Sequence, residues 1–409
     1  MQSLLEWFGA KPTLESFTGR LLTAMPRVEA AGWRFDKGEA TLVNGAGSTI
    51  SLQNIFLEYS NASRRQRPGL IDKYLELART ITQEIPALWV AAAKNVYPVL
   101  RSKYVATAVE VATRGRAKPM DRFAAAPLAG DLQVCLMYDF GESLKYVHEP
   151  QLSIWGQSYD DVRERALANL AKLEPAVWVA DESGFFQLAS RASYAESMLL
   201  LDRIVDALPF RDNAVFVPCN RGVLLAADAH RDDAVSAMLR EAIRCAELAP
   251  WPMSATLCTR RDRSWTVWEP SDATRALAHD LFLIHLAMSY QAQQEALEEW
   301  QNKNGIDRYV AKFDLRKRPD GLVSFATWTQ GVCTLLPISD LVALVRPSAK
   351  AGEMEFKLAR WQNVIDVCAH RLRPTDESPT RYELDSFPDE AEWNRLKDER
   401  DVVKGGQAS

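Results

Sequence analysis

The feature that most constrains this fold is a series of four segments, each with an apolar run, a short turn and a second apolar run. They read QVCLMYDFGESLKYV, AVWVADESGFFQLA, AVFVPCNRGVLLAAD and SATLCTRRDRSWTVW. Gly, Asn, Asp and Ser adopt the backbone angles of a tight turn, so each segment predicts a β-hairpin. Apolar residues at helical spacing near 158–173, 193–208 and 230–248 predict helices between the hairpins. We therefore expect an α+β protein with mainly antiparallel sheets, built either from true repeats or from a simple meander.

Composition and turn signals divide the chain into five parts. Thr13 is a predicted N-cap for a helix over 12–25, and a long helix after Pro270 is predicted to start at Ser271 or Asp272 and to end at Gly305. The sequence RPDG within 306–373 predicts a further hairpin in a smaller C-terminal α+β domain. The predicted parts are an N-terminal α+β lobe (1–94), a hairpin–helix core domain (95–270), a connecting helix (271–305), a C-terminal hairpin domain (306–373) and an acidic flexible tail (374–409).

Charge and cysteine usage suggest where the protein works. The formal charge is −5, and residues 374–409, with ten acidic and five basic side chains, account for all of it. A near-neutral body argues against a broad phosphate-binding surface. The six cysteines are scattered without a CxxC pair, which is typical of reduced core thiols. No stretch approaches the roughly 20 apolar residues of a membrane span, so we expect a cytoplasmic protein that does not enter membranes.

No short motif in the sequence indicates a catalytic site. The chain has five histidines, and GxSxG, SxxK and HExxH motifs are absent. His279 and His285 lie six residues apart on one predicted helix, which separates them by about 240° and argues against a shared metal ion. We predict neither a metal nor a cofactor, and the sequence leaves open whether the protein is an enzyme.

Four short motifs occur in one order along the chain: NVYPVLRS (95–102), DFGESLKYV (139–147), SYAESMLLL (193–201) and VPCNRGVLLAAD (217–228). Together they resemble the bacterial family known as domain of unknown function 1444, over residues 12 to 268 approximately. The resemblance implies a cytosolic bacterial context and an α+β fold, and it brings no established activity. Residues 271–409 form an extension outside it. The matching positions are Tyr97, Pro98, Arg101, Asp139, Gly141, Tyr194, Ser197, Pro218 and Asp228.

Arg101 is the first candidate for a functional residue in this region. It follows the apolar run VYPVL, and a guanidinium there must find a carboxylate or stay exposed, because burying it unpaired is costly. Asp139 and Asp228, each near a predicted strand end, are the expected partners. Arg101 then serves either an internal ion pair or ligand recognition. Tyr97 and Tyr194 are read in the same two ways, as core residues or as part of a binding site.

Arg260, Arg261 and Arg263 form a basic cluster on the predicted tip of the fourth hairpin. Such charges are usually just solvated, but beside Trp265 and Trp268 they are also candidate contacts for an anion.

Three functions follow from these patterns. The first is a non-enzymatic regulatory or binding protein with a protein partner. The second is an enzyme or small-ligand sensor with a carboxylate and guanidinium site within 95–270, whose small molecule the sequence does not identify. The third is nucleic-acid binding through basic hairpin tips, which the near-neutral charge disfavours.

Overall fold

All four predicted hairpins are present in the computed structural model of the protein, and the α+β prediction with mainly antiparallel sheets is confirmed. The third hairpin turns at Arg221–Gly222, where Gly222 has φ +75°, a backbone angle that suits glycine. The structure describes residues 12–25, 32–38, 40–44, 49–80, 83–105, 111, 121–141, 143–173, 175–190, 194–248, 252–348, 350 and 352–400.

The N-terminal lobe packs helices against a three-stranded antiparallel sheet. Thr13 caps the first helix, as predicted, and forms a capping box with Ser16. Phe17, Leu42 and Tyr74 are buried where the helices meet the sheet. The described elements are helices α1 (Leu14–Ala24), α2 (Gln53–Asn61) and α3 (Arg67–Thr80), with strands β1 (Trp33–Asp36), β2 (Thr41–Asn44) and β3 (Thr49–Ser51).

The first hairpin of the series belongs to a small sheet in which one strand, β6, pairs with three others. Helices on the outside bury Trp155 and Val162 against Val96 and Leu136. The elements are helices α4 (Trp89–Ala92), α5 (Glu149–Trp155) and α6 (Tyr159–Leu170), with strands β4 (Val96–Ser102), β5 (Ala125–Ala129), β6 (Leu132–Asp139) and β7 (Leu144–Tyr146).

The other three hairpins form a six-stranded antiparallel sheet in the order β13-β12-β10-β11-β9-β8. Because side chains alternate along a strand, Phe216 and Leu224 face the small sheet, whereas Val215 and Leu225 face helix α8. The first hairpin thus lies in a different sheet from the other three. The elements are β8 (Val177–Ala180), β9 (Phe186–Ala189), β10 (Ala214–Asn220), β11 (Val223–Asp228), β12 (Cys258–Arg261), β13 (Ser264–Val267) and α8 (Asp232–Leu248).

The segment predicted as a helix over 193–208 is instead a 3₁₀ helix, Ala195–Leu200, followed by a short α-helix, α7 (Asp202–Asp206). All of 195–199 is buried in the core between the two sheets. The conformation of this segment is therefore determined by packing on both of its sides, and not by a single amphipathic face as in the predicted helix.

The long predicted helix is α9 (Arg275–Asn304), which ends as expected at Gly305, with φ +64°. Its predicted start at Ser271 or Asp272 is wrong. Thr274 is the N-cap, and the Ser271 hydroxyl donates 2.7 Å to Asp232 at the start of α8 instead of capping α9.

The C-terminal domain contains two four-stranded sheets, each with one parallel pair (β16 with β18, and β14 with β17). Its core holds the fully buried Trp328 beside Trp393. The elements are β14 (Tyr309–Val310), β15 (Asp314–Arg318), β16 (Gly321–Thr329), β17 (Thr334–Pro337), β18 (Leu341–Pro347), β19 (Met354–Arg360), α10 (Trp361–Cys368), β20 (Arg373–Pro374), β21 (Arg381–Leu384) and α11 (Glu390–Arg395).

The prediction of a flexible acidic tail over 374–409 is wrong for residues 374–400. Strand β21 pairs with β17 inside the domain, Arg381 is fully buried, and Trp393 is 2% exposed. This segment is acidic overall, but its few apolar residues complete the core of the C-terminal domain. Residues 401–409 lie outside the described part of the chain.

Among the described residues, no helix is long and apolar enough to cross a membrane. All six cysteines are unpaired; five are buried, as expected of core thiols, and Cys333 is exposed.

Candidate functional site

Arg101 is buried on β4 and forms an ion pair, but with neither predicted partner. Its Nη1 lies 3.2 Å from Oε1 of Glu196 and donates 2.7 Å to the carbonyl of Leu100. Glu196 is fully buried, and its Oε2 accepts the N–H of Gly222 at 2.7 Å. The partner comes from the 3₁₀ helix because this segment packs against β4. A single glutamate in the otherwise apolar run AESMLLL was the sequence signal for it.

The pKa of Glu196 is raised overall, and burial is the largest cause. Burial raises the pKa of its carboxyl, while Arg101 and the Gly222 N–H act in the opposite direction. The ion pair is therefore an internal link between β4 and the 3₁₀ helix, and both oxygens of the carboxylate already have partners.

Tyr97, Tyr194 and Asp139 lie together, as the sequence analysis grouped them. The Tyr194 hydroxyl donates 2.5 Å to Oδ2 of Asp139, and the rings of Tyr97 and Tyr194 are 5.3 Å apart. The other Asp139 oxygen accepts the Gly141 N–H at 2.6 Å. Burial and the bond to Asp139 raise the pKa of Tyr194, which keeps its hydroxyl protonated.

Asp228 is not part of this cluster. It ends β11, and its Oδ1 accepts the His230 N–H at 3.0 Å. Of the five predicted binding residues, three thus meet, Arg101 pairs with Glu196 nearby, and Asp228 stands apart. A ligand-binding role for them stays a prediction.

The basic tip between β12 and β13 is partly neutralised. Arg260 lies 2.5 Å from Asp202 and 2.9 Å from Asp206. Arg261 and Arg263 are exposed, and Arg263 sits in the turn at φ +62°. At this tip, Arg261 and Arg263 are therefore available to contact an anion, and Arg260 is not.

Sequence reasoning missed a concave feature that runs beside α9. A cavity of about 750 Å³ lies between α9 and the C-terminal domain. A second cavity of about 540 Å³ lies between α9 and the end of the six-stranded sheet. We call the two together the α9 groove, because five residues line both: Lys103, Tyr104, His279, Phe282 and Leu286.

The larger cavity contains a histidine held by a carboxylate. Nε2 of His279 lies 3.4 Å from Oδ1 of Asp340, whose Oδ2 accepts both the N–H (2.8 Å) and the hydroxyl (2.7 Å) of Ser324. The bond to Asp340 raises the pKa of His279. Burial acts to raise the pKa of Asp340, but the bonds from His279 and Ser324 outweigh it and lower that pKa. An imidazole held in this way can exchange a proton near neutral pH.

The smaller cavity contains Asp131 and His285. Oδ1 of Asp131 accepts the hydroxyls of Ser254 and Thr256, each at 2.5 Å. His285 is 8% exposed, and its Nε2 has no hydrogen-bond partner in the described structure. Burial lowers the pKa of His285 to about 4, so its ring is neutral at pH 7.

His279 and His285 both line the smaller cavity, although the sequence placed them on different sides of the helix. An angle of about 240° is also about 120° the other way round, and a broad cavity spans that arc. In the part of the chain that the structure describes, no three His, Cys, Asp or Glu side chains are grouped to hold a metal ion.

No protein-family model, curated protein or solved structure matches this chain. The resemblance to domain of unknown function 1444 therefore stays a prediction.

Proposed function

We propose that this protein is a non-enzymatic binding protein and that the α9 groove holds an extended segment of a partner polypeptide. The observation that carries the proposal is the shared wall of the two cavities, of about 750 and 540 Å³, which makes one elongated site along α9. Either cavity alone has the size of a small-molecule pocket. Together they border α9 from Arg275 to Tyr290, and this length suits a longer ligand.

The lining supports a polypeptide ligand. Phe282 borders both cavities, and its ring is 47% exposed and therefore accessible to a ligand. Trp361 in the larger cavity and Trp268 in the smaller one add further aromatic surface, beside charges of both signs such as Arg360 and Asp320. Aromatic anchors within a polar rim are typical of protein interfaces.

The alternative site around Arg101 has less to offer a ligand. Arg101 and Glu196 bond to each other through Nη1, and Tyr194 bonds to Asp139, although the buried Nε of Arg101 has no hydrogen-bond partner among the described residues. This site also lies outside both cavities of the α9 groove. We therefore favour the groove over an enzyme or sensor site at that place. We also propose a cytoplasmic location, which the six unpaired cysteines support.

The test uses a random peptide library displayed on phage, with the full chain as bait. Enriched peptides are synthesised, and their affinity is measured by calorimetry for the wild type, Phe282→Glu and Phe356→Glu. Phe356 is a matched control because it is also 47% exposed and lies on β19, outside the groove.

We expect Phe282→Glu to weaken peptide binding by roughly 30-fold, since truncating an interfacial aromatic anchor costs about 2 kcal/mol. Phe356→Glu should bind like the wild type. The proposal fails if no peptide is enriched, or if enriched peptides bind Phe282→Glu as tightly as the wild type.

A further inference from the structure

The smaller cavity combines three features that together select one ligand chemistry. Among the described residues, it has a carboxylate without a cationic partner, a buried nitrogen without a hydrogen-bond partner, and aromatic walls.

Asp131 is half-buried, and in the described chain both partners of its carboxylate are neutral hydroxyls, those of Ser254 and Thr256. The hydroxyls orient the carboxylate without neutralising its charge. Glu269, which is exposed, adds a second carboxylate at the mouth of the cavity. A positively charged group is the natural complement.

His285 supplies an independent sign of a binding site. It is more than nine-tenths buried, lines the cavity, and its Nε2 bonds to nothing in the described structure. A buried polar atom left without a partner is destabilising, because it loses its hydrogen bonds to water without replacing them. In the tautomer with hydrogen on Nδ1, Nε2 is an acceptor, so a ligand N–H satisfies it.

The walls suit the stem of a basic side chain. Tyr104, Trp268 and Phe282 line the cavity. Aromatic faces attract ammonium and guanidinium groups, and they also pack against the methylene stems of lysine and arginine.

Two cations also line the cavity, and they lie where solvent screens them. Lys103 and Arg275 are both exposed, and Arg275 is paired with Asp272 at 2.7 Å. His279 is also exposed at this wall and faces Asp340. The inner part, between Asp131 and His285, therefore presents acceptors.

We propose that the smaller cavity receives a lysine or arginine side chain of the polypeptide that the groove binds. This inference rests on the proposed function, since it names the residue that anchors the bound segment. It predicts that a basic residue recurs among peptides selected by the full chain.

The test compares each selected peptide with a copy in which its basic residue is replaced by norleucine. Asp131→Asn removes the charge and keeps the shape of the side chain. Asp232→Asn is the matched control, because the Asp232 carboxylate also accepts a serine hydroxyl, from Ser271 at 2.7 Å, and lies outside the groove. Circular dichroism checks that each variant is folded.

We expect Asp131→Asn to weaken binding of the basic peptide at least tenfold and to leave the norleucine peptide unchanged, because the lost interaction joins opposite charges. Asp232→Asn should bind both peptides like the wild type. His285→Met, a second variant, should also weaken the basic peptide selectively.

Other outcomes overturn the inference. If selected peptides lack a recurring basic residue, or Asp131→Asn and His285→Met bind them normally while Phe282→Glu does not, the cation site is refuted and the peptide groove survives. If Phe282→Glu also binds normally, the proposed function itself fails. If agmatine alone binds as tightly as the peptide, the occupant is a free amine and not a side chain.

Discussion

Arg381 is expected to hold the C-terminal domain onto α9. Its guanidinium is fully buried and makes four hydrogen bonds: Nε to Gln293 Oε1 (2.6 Å), Nη1 to the carbonyls of Ala311 (2.7 Å) and Leu335 (3.2 Å), and Nη2 to the carbonyl of Tyr290 (3.1 Å). Two of the four acceptors belong to α9. Arg381→Met keeps much of the volume of the side chain and deletes every one of these bonds.

The magnitude follows from the bonds lost. A hydrogen bond that involves a charged group contributes about 1.5–3 kcal/mol, and removing the charge also removes part of its desolvation cost. The guanidinium also lies 5.0 Å from the centre of the Tyr290 ring, a further attraction that methionine lacks. After this offset, we expect Arg381→Met to lower the unfolding free energy of the domain by about 3 kcal/mol.

Hydrogen exchange read by mass spectrometry measures this locally in the full chain. Amides in β16 and β21 should exchange about a hundredfold faster in the variant, if they open with the domain. Arg373→Met is the control, because the Arg373 side chain is 60% exposed and its ion pairs should contribute less than about 1 kcal/mol. The reasoning is refuted if Arg381→Met accelerates exchange no more than Arg373→Met does.

Three further predictions concern buried polar groups elsewhere. Arg101→Met should lower the unfolding free energy by about 3–5 kcal/mol, because it leaves the fully buried Glu196 without its cationic partner. The double variant Arg101→Met/Glu196→Leu should recover part of that loss. Urea unfolding measures both free energies, and a double variant no more stable than Arg101→Met contradicts this explanation. The folded-state pKa of His285 is lowered to about 4 from an ordinary value of 6.5. The unfolding free energy should therefore fall as the pH decreases through that interval, by up to about 3 kcal/mol. In His285→Met, the urea midpoint should depend less on pH than in the wild type. Tyr194→Phe should cost about 2 kcal/mol through loss of its bond to Asp139, and an unchanged melting temperature would show that the bond contributes nothing.

The groove depends on the contacts that Arg381 strengthens. Tyr290, Pro379 and Thr380 line the larger cavity, and the Tyr290 hydroxyl donates 2.7 Å to the Thr380 carbonyl. Gln293 adds a 2.8 Å bond to the Pro379 carbonyl. The C-terminal domain thus supplies part of the wall of the groove.

Local signals predicted the secondary structure well because their physics is local. The capping box at Thr13 and the glycine after α9 involve residues within one or two turns of helix. The alternation of apolar residues in the hairpins was similarly sufficient to pair neighbouring strands. Where a local signal had a competitor, it failed: Ser271 bonds to Asp232 across space and does not cap α9.

Partner choice was harder to predict because it depends on which segments meet. The sequence indicated that Arg101 needs a carboxylate, but Glu196, 95 positions away, was selected by the packing of the 3₁₀ helix on β4. The groove was missed altogether, since its shared wall combines Lys103 and Tyr104, which directly follow β4, with three residues of α9. No short motif records such a juxtaposition.

The sequence by itself determined the hairpins, most of the helices, the α+β class and the requirement that Arg101 find a carboxylate or stay exposed, because turn angles, apolar periodicity and the cost of an unpaired charge act within a few residues. Only the tertiary structure decided that Glu196 is that anion, that residues 374–400 belong to a core, and that Asp131 and His285 share a cavity. These outcomes depend on contacts between segments far apart in the chain, and many arrangements of the same elements satisfy the local rules equally well.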